Sequence, residues 1–460
     1  MNAKESGWIA LVPLILLGAS LMNEQITYPI LLTGAALIVG AAIAAQFHSF
    51  ELGTGLIALM ISGVLFPRPF GPNDELSLPL VIACLICGYW LVGLMFGKQG
   101  ADGPLIAGSG TGLLLVAVSL AALFIGQLSV YPVSGAPPRA QVAGFGIIAL
   151  SVCLFLCSAY GVRSLRSIKW FTGLFLAAGA IVLLLSRPEL DAIAVQTINP
   201  KSIGSVFWTC FVGVSAGQAL FNSEMHPLSR VACLALAVIA LADSMITRSA
   251  WASGWLPPLV AAGVAFVLRA PKIALSGGLV AVPVAFYALM PTFRQVLETE
   301  SYSLASRKAA WSTMWHVISP SPILGLGPAN YYHYTELFPT LGWYVKFSSH
   351  QQYIDLVAQT GVVGLFIFLA FVAVVLRSLW KLRNLLGGGF QQGLVSGCLA
   401  AGVGCLASGF LADWILPFVY NIGLEGFRSS LLFWTFLGLA MALHRIRRQD
   451  PQSTTRALRF

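Results

Sequence analysis

Residues 347–376, FSSHQQYIDLVAQTGVVGLFIFLAFVAVVL, pass from serine, histidine and glutamine side chains directly into a long apolar run. The run from 354 to 376 is long enough to cross the roughly 30 Å hydrocarbon layer of a membrane as an α-helix. It therefore predicts a membrane span that is preceded by an ionisable residue, His350. Because ionisable groups near hydrocarbon are kept mainly where they serve a site, the start of this span is a candidate functional position.

Apolar runs of similar length recur along the rest of the chain. The 460 residues are 57% hydrophobic and 9% charged, with a mean hydropathy of +0.83, which excludes a soluble globular domain. The predicted spans are 7–22, 27–46, 52–66, 78–96, 104–126, 141–160, 169–186, 202–221, 228–247, 250–268, 273–290, 354–376, 391–412 and 428–444. The pattern predicts an all-α polytopic membrane protein of about 12–14 transmembrane helices, folded as a single transmembrane domain over 1–460. The first run has no clear small-residue cleavage site, so we expect a retained helix.

The formal net charge of +9 has a topological explanation. If the N-terminus is cytoplasmic, basic residues fall in alternate loops, which is the positive-inside pattern. These residues are Arg163, Arg166, Lys169, Arg269, Lys272, Arg377, Lys381, Arg383, Arg445, Arg447 and Arg448. We therefore expect two cytoplasmic termini, a basic cytoplasmic tail at 445–460, and a long extracytoplasmic loop at 291–349 that carries short amphipathic helices. Because membrane topology explains the basic charge, we expect membrane lipids, and no nucleic acid, as partners.

Three polar segments interrupt the apolar pattern, and all three fall on the predicted outer face. The first is DSMITRSAWASG, residues 243–254, at the outer end of the ninth span. Arg248 lies in its tight turn and is a candidate anion-binding residue. An arginine there could equally reach the membrane interface without any function, or pair with Asp243 one turn below.

The second segment is the part of the long loop from 303 to 334. Arg307, Trp311 and Trp315 recur at four-residue spacing, so they share one face of a short helix. Proline and glycine turns then end this helix. An amphipathic helix lying on the membrane surface would explain the tryptophans equally well.

The third segment is the start of the twelfth span. Ser348 or Ser349 could cap the helix. An imidazole such as that of His350, with an unperturbed pKa near 6.5, suits a general base at neutral pH, although a hydrogen-bonded interface residue is the simpler alternative. Asp355, inside the span, is a possible helper and equally a possible structural partner. His316 and His333 in the outer loop are second-line candidates.

Two arginines and a histidine at one membrane face suit a particular chemistry. Guanidinium groups bind phosphate oxygens through paired hydrogen bonds and stay charged, so Arg248 and Arg307 would suit a diphosphate. His350 could then take the proton of an acceptor hydroxyl while the arginines stabilise the departing diphosphate. This is glycosyl transfer from a lipid diphosphate sugar donor. The outer loops hold no cluster of acidic residues of the kind that divalent ions prefer, so we expect neither a metal nor a cofactor.

Four sequence motifs carry a resemblance to a known family. They are TRSAW at 247–251, RKAAW at 307–311, PILGLGPANYY at 322–332 and SHQQYIDLVAQTGVVGL at 349–365. In this order they resemble the signature region of the O-antigen ligase and O-antigen polymerase superfamily. The resemblance implies a glycosyltransferase of the C type in the bacterial plasma membrane, with an undecaprenyl-diphosphate-linked glycan as donor, an outer-face active site and no metal.

Carried over to this chain, the resemblance implies that Arg248 and Arg307 bind the diphosphate and that His350 activates or orients the acceptor. Lys308, Trp311, Tyr353 and Asp355 are possible supporting residues. The chain departs from the family in carrying Gln351 and Gln359, where many members have Asn and Glu, and in lacking the Arg-Gly that often follows the Thr-Arg-Ser segment. These departures bear on the acceptor more than on the donor.

Two alternatives remain open at the level of sequence. A lipid-linked oligosaccharide flippase, or another polytopic transporter, could have a similar number of helices, but transporters usually place charges in mid-span around a central cavity. Within the enzyme class, the motifs do not separate a polymerase, which joins repeat units on one lipid carrier, from a ligase, which moves a finished glycan to a different acceptor.

Overall fold

The computed structural model describes residues 52–65, 69–70, 76–96, 105–186, 203–247, 251–273 and 301–449. The predicted spans 7–22 and 27–46 lie outside the described residues, as does nearly all of the predicted span 273–290. Arg248 also lies outside them.

The described chain is helical, apart from one pair of two-residue strands, β1 (Pro69–Phe70) and β2 (Leu76–Ser77), which are antiparallel. A π-helical turn, Cys157–Gly161, continues α4, and short 3₁₀ turns precede or follow other helices. In chain order the helices are α1 Leu52–Leu65, α2 Leu78–Met95, α3 Ser109–Ile125, α4 Pro138–Leu156, α5 Leu165–Leu185, α6 Ser205–Phe221, α7 Pro227–Thr247, α8 Ala252–Arg269, α9 Ser301–Ile318, α10 Tyr331–Tyr334, α11 Gln352–Asn384, α12 Gly389–Gly409 and α13 Phe427–Gln449.

Within these described ranges, eight helices are long and apolar enough to cross a membrane, and three shorter helices are also apolar. The eight are α2, α4 with its π turn, α5, α7, α8, α11, α12 and α13 with the turn before it; the three are α1, α3 and α6. Each predicted span that falls in the described part of the chain coincides with one of these eleven helices. The fold is therefore an all-α polytopic membrane protein, as the hydropathy pattern predicts.

The chain divides into two compact units. The first comprises the described residues up to Ile106, Leu150–Ile203 and those from Leu424 onward. In it, α1 packs on α2 and α5, and α13 packs on the π turn. Near the end of α13, Arg445 donates hydrogen bonds to the carbonyl oxygens of Tyr160 and Val162, which the irregular turn leaves without helical partners.

The second unit comprises the described residues of Ala107–Ala149 and Gly204–Gly423. Here α6 is packed by α7, α8 and α12, and α3 packs on α11. Helices α6 and α12 approach closely where glycines face each other, since a Cβ on Gly217 would lie 2.4 Å from the Gly393 carbonyl oxygen. Small residues at such crossings permit the close helix contact that stabilises membrane bundles, where lipid removes the hydrophobic drive between helices.

The twelfth predicted span contains a break. Gly361, inside α11, has φ 70° and ψ 178°, so the first nine residues of α11 form a helix separate from the long remainder. Such a backbone conformation is essentially restricted to glycine. The continuous helix predicted over 354–376 is therefore wrong at this residue, although both parts are helical.

The break in α11 is filled by the loop between α9 and α10. Leu326 and Gly327 donate backbone hydrogen bonds of 2.8 and 3.1 Å to the carbonyls of residues 358 and 359, and the amide of Val362 donates to the carbonyl of Pro322 at 2.9 Å. These bonds satisfy backbone groups that the break would otherwise leave unpaired in an apolar setting. The Gly-Leu-Gly-Pro motif thus lies against α11, the helix that follows His350.

Candidate functional site

His350 directly precedes Gln351, the N-cap residue of α11, and its side chain is partly exposed. Its φ of 51° is unusual for a residue with a side chain and turns the backbone into the helix. The N-cap of α11 is Gln351, whose side-chain oxygen accepts a hydrogen bond of 2.6 Å from the amide of Ile354. The prediction that Ser348 or Ser349 caps this helix is therefore wrong. His350 is held at the start of α11 by the residues on both sides of it.

Helix α9 places Arg307 and Trp311 beside this segment. The indole nitrogen of Trp311 donates a hydrogen bond of 2.9 Å to the carbonyl oxygen of Ser349, the residue before His350. Arg307 lies one turn earlier in α9, and its Nη1 is 3.5 Å from the carbonyl oxygen of Leu411. Partial burial, and then the positive charge of Arg307, lower the pKa of His350 below its usual 6.5. The predicted arginine and histidine therefore lie in one electrostatic environment.

The other two α9 candidates do not share that position. Lys308 is exposed, and its side chain leaves α9 about 100° around the helix from Arg307. The Trp315 side chain is 57% exposed, whereas Trp311 is partly buried. The four-residue spacing thus identified the helix face. The structure distinguishes Trp311, which hydrogen-bonds to the site segment (residues 349–351, around His350), from the exposed Trp315.

Asp355 lies beneath the site segment and is fully buried. Its carboxylate accepts a hydrogen bond of 2.7 Å from the Ser349 hydroxyl and a second hydrogen bond from the Tyr331 hydroxyl. The Ser349 hydroxyl also accepts from the amide of Gln351 at 3.1 Å. Asp355 therefore anchors the residues that flank His350, in the manner of a positioning group.

Tyr353 also supports the site from behind. Its hydroxyl donates to the carbonyl oxygen of Leu406 at 2.6 Å, and its ring packs on Phe410 with centroids 4.6 Å apart. Both contacts lie at the end of α12, just before Leu411, the residue whose carbonyl faces Arg307. Tyr353 thus links the first turn of α11 to the segment that contacts the arginine.

Two further residues that the sequence analysis did not single out organise the loop after α12. The Gln352 side chain accepts hydrogen bonds from the amides of Ile415 and Leu416, at 3.1 and 2.8 Å. Asp413 is buried, and its carboxylate accepts from the amide of Phe418 at 2.6 Å. Burial raises the pKa of Asp413 to about 6. An acidic residue directly after the apolar run 391–412 was the available signal for Asp413.

The second-line histidines lie in separate surroundings. His333 is 3.2 Å from the Tyr420 hydroxyl and 3.3 Å from the Lys346 amine. Partial burial and the charge of Lys346 lower its pKa. His316 is exposed and stacks on Phe338. The described part of the chain brings together His350, Arg307 and Trp311, supported by Asp355 and Tyr353.

Among the residues that the structure describes, no group of three or more histidine, cysteine, aspartate or glutamate side chains could hold a metal ion. Comparison with curated proteins gives no match. Residues 228–369 match a family model described as O-antigen ligase, and this range contains Arg248, Arg307 and His350. Over these residues, about a third of its length, the chain is similar to the O-antigen ligase family.

Proposed function

We propose that this protein moves a glycan from an undecaprenyl-diphosphate-linked donor to an acceptor hydroxyl on the outer face of the bacterial plasma membrane. The match to the O-antigen ligase family supports a ligase-type glycosyltransferase in general terms. One observation carries the finer proposal: Trp311 donates to the carbonyl oxygen of Ser349, which places the helix that bears Arg307 against the residue before His350. The contact thus brings a base for a hydroxyl and a cation for a phosphate to the same end of α11.

The proposed step is a displacement at the anomeric carbon of the donor sugar. The acceptor oxygen forms a bond to that carbon, while the bond from the carbon to the diphosphate oxygen breaks. Neutral His350 takes the proton of the hydroxyl, and undecaprenyl diphosphate leaves with the bonding electron pair. Arg307, joined by Arg248, stabilises the negative charge that develops on the diphosphate. These guanidinium groups take the place of a divalent cation, so we expect turnover to survive EDTA.

The neighbouring residues act on this step through position. Trp311 holds the Ser349 carbonyl, and Asp355 holds the Ser349 hydroxyl, so both restrict the backbone next to His350. Tyr353 fixes the end of α12 near the Arg307 contact. Catalytic groups gain most when their supporting contacts are rigid, because geometric errors of about 1 Å cost up to 100-fold in rate.

The test is a turnover assay with purified protein in detergent and a fluorescent undecaprenyl-diphosphate oligosaccharide. Loss of a general base costs about 10²–10⁴-fold, so we expect a loss of this size for His350→Ala. Loss of one charge-stabilising donor costs about 10²–10³-fold, and we expect that for Arg307→Ala and Arg248→Ala. His316→Ala and Arg377→Ala, which alter exposed residues outside the site, are the matched controls and should retain turnover.

The products of the same assay separate the remaining alternatives. A ladder of longer lipid-linked glycans would indicate a polymerase, and transfer only after a second acceptor is added would indicate a ligase. If authentic donors and acceptors gave no turnover, and the three site variants still supported glycan export in cells, the catalytic proposal would be wrong and a flippase would take its place.

A further inference from the structure

A second polar feature of the same unit lies at the opposite end of α11 from His350. It is a cavity of about 300 Å³, bounded by the C-terminal ends of α6, α8 and α11 and by the turn before α12. We call it the arginine pocket, because Arg230, Arg269 and Arg383 all line it. Ser223 and Gln392 add uncharged polar groups to its wall. The 33 residues of α11 separate it from the proposed active site.

The three arginines are held in different ways. Arg383 donates to the carbonyl oxygen of Leu268 at 2.6 Å, and its guanidinium lies over the rings of Phe221 and Trp380, 5.3 and 5.7 Å from their centroids. Arg230 uses its Nε to donate to the carbonyl oxygen of Ala219 at 3.0 Å, which leaves its terminal nitrogens for another partner. Arg269 is exposed at the end of α8.

The pocket carries an excess of positive charge. No acidic residue is among the described residues that line it, and none of its three arginines forms an ion pair with a described residue. The nearby carboxylate of Glu224 packs against Gly389, beyond the lining residue Gly388. Three guanidinium groups around a small cavity favour an anion with several oxygens. The terminal nitrogens of Arg230 offer paired donors that match phosphate geometry, whereas those of Arg383 donate to Leu268 and Asn384, so that Arg383 contributes mainly its charge.

We propose that the arginine pocket binds the phosphate headgroup of an anionic phospholipid. Helix α7, which carries Arg230 near its start, presents apolar side chains outward: Leu228 and Val231, on either side of Arg230, are 71% and 62% exposed. In a membrane-spanning helix such residues face the acyl chains of lipids. A lipid whose headgroup phosphate occupies the pocket would therefore place its acyl chains along α7. Basic pockets at the ends of membrane helices are known to hold anionic headgroups in this way.

Native mass spectrometry of the full chain in detergent tests this proposal. The protein is titrated with phosphatidylglycerol, with phosphatidylcholine of the same acyl chains, and with inorganic phosphate. Arg230→Gln combined with Arg269→Gln removes two of the three guanidinium groups, so it should weaken phosphatidylglycerol binding by about tenfold or more. The control is Arg377→Gln with Lys381→Gln, which removes the same charge from exposed positions of α11 outside the pocket.

The expected result is preferential binding of phosphatidylglycerol to the unsubstituted chain and to the control, and its loss in the pocket variant. Equal binding by the pocket variant and the unsubstituted chain would overturn the proposal. So would an equal loss in the control, which would indicate general surface charge, or displacement of the lipid by equimolar inorganic phosphate, which would indicate a soluble anion. If the double variant does not fold, Arg269→Gln alone, at an exposed position, gives the same comparison.

Discussion

At the scale of single residues, the environment of His350 decides which proton chemistry it can perform. Partial burial and the charge of Arg307 both disfavour the imidazolium, so the lowered pKa keeps the ring neutral at pH 7. A neutral imidazole can accept a proton and so act as a base. An arginine beside a histidine thus serves two roles in the proposal: it binds the diphosphate, and it keeps the base deprotonated.

The lowered pKa of His350 predicts a specific pH profile. Because the base must be neutral, kcat/KM for glycan transfer should rise with pH through a midpoint below 6.5 and level off at neutral pH. Arg307→Gln removes the nearby positive charge, so its residual activity should have an acidic limb at higher pH, closer to 6.5. Burial, the larger cause of the lowered pKa of His350, remains in that variant. The midpoint of the acidic limb should therefore rise but stay below 6.5.

The matched control for this profile is Arg377→Gln, since Arg377 is an exposed arginine at the far end of α11. Its acidic limb should coincide with that of the unsubstituted protein. If the pH profiles of Arg307→Gln and Arg377→Gln had the same midpoint, Arg307 would not act on the titrating group.

At the scale of elements, the site depends on the interrupted helix α11. The short helical segment before Gly361 carries Tyr353 and Asp355, and the loop from Pro322 to Gly327 hydrogen-bonds into the break. Gln359 adds a side-chain contact, since its oxygen lies 3.3 Å from the amide of Ala329. The site segment and the Gly-Leu-Gly-Pro turn are therefore one connected piece of structure.

Gly361→Ala should disrupt this connection. A Cβ there would lie 1.9 Å from the Ile323 carbonyl oxygen, and the backbone conformation is strained for any other residue. Backbone strain alone costs about 1–3 kcal/mol, and the overlap with another backbone atom adds to it. We expect a lower unfolding midpoint for the purified variant in detergent, measured by thermal or denaturant titration.

Gly263→Ala, in α8 of the same unit, is the control for that measurement. A Cβ on Gly263 meets no atom within 4 Å, and alanine favours a helix by up to about 1 kcal/mol over glycine. Its midpoint should be unchanged or higher. A Gly361→Ala protein as stable as the unsubstituted chain would mean that the break does not need glycine.

At the scale of the whole molecule, the orientation in the membrane is a prediction from the distribution of basic residues. It puts the loop around Leu341 outside the cell and the turn around Leu385 in the cytoplasm. Both leucines are exposed, 52% and 63% respectively, so each can be replaced by cysteine for labelling. A membrane-impermeant maleimide should label Leu341→Cys in intact cells and Leu385→Cys only after permeabilisation.

The unsubstituted chain measures the background in this experiment, because all eight native cysteines are free thiols. Six of them are buried, and Cys84 and Cys153 are partly exposed. The reverse labelling pattern would place the proposed active site on the cytoplasmic face and would contradict an outer-face reaction.

Much of the fold and part of the candidate site could be predicted from the sequence. The length of the apolar runs located the helices, because a chain that crosses hydrocarbon must pair its backbone groups within helices. The four-residue spacing grouped Arg307 with Trp311 on one face of α9. The place of His350 at the start of a predicted span made it a candidate base, and that role stays a prediction.

The tertiary structure decided the rest. The break at Gly361, the burial of Asp355, the capping of α11 by Gln351 and the arginine pocket all depend on which elements pack together. Hydropathy cannot reveal which elements pack together in a membrane protein, because lipid and protein interior are equally apolar. An apolar helix face can therefore contact either one. The sequence by itself determined that the chain spans the membrane as helices and which polar residues interrupt them. Only the packing determined which of those residues meet.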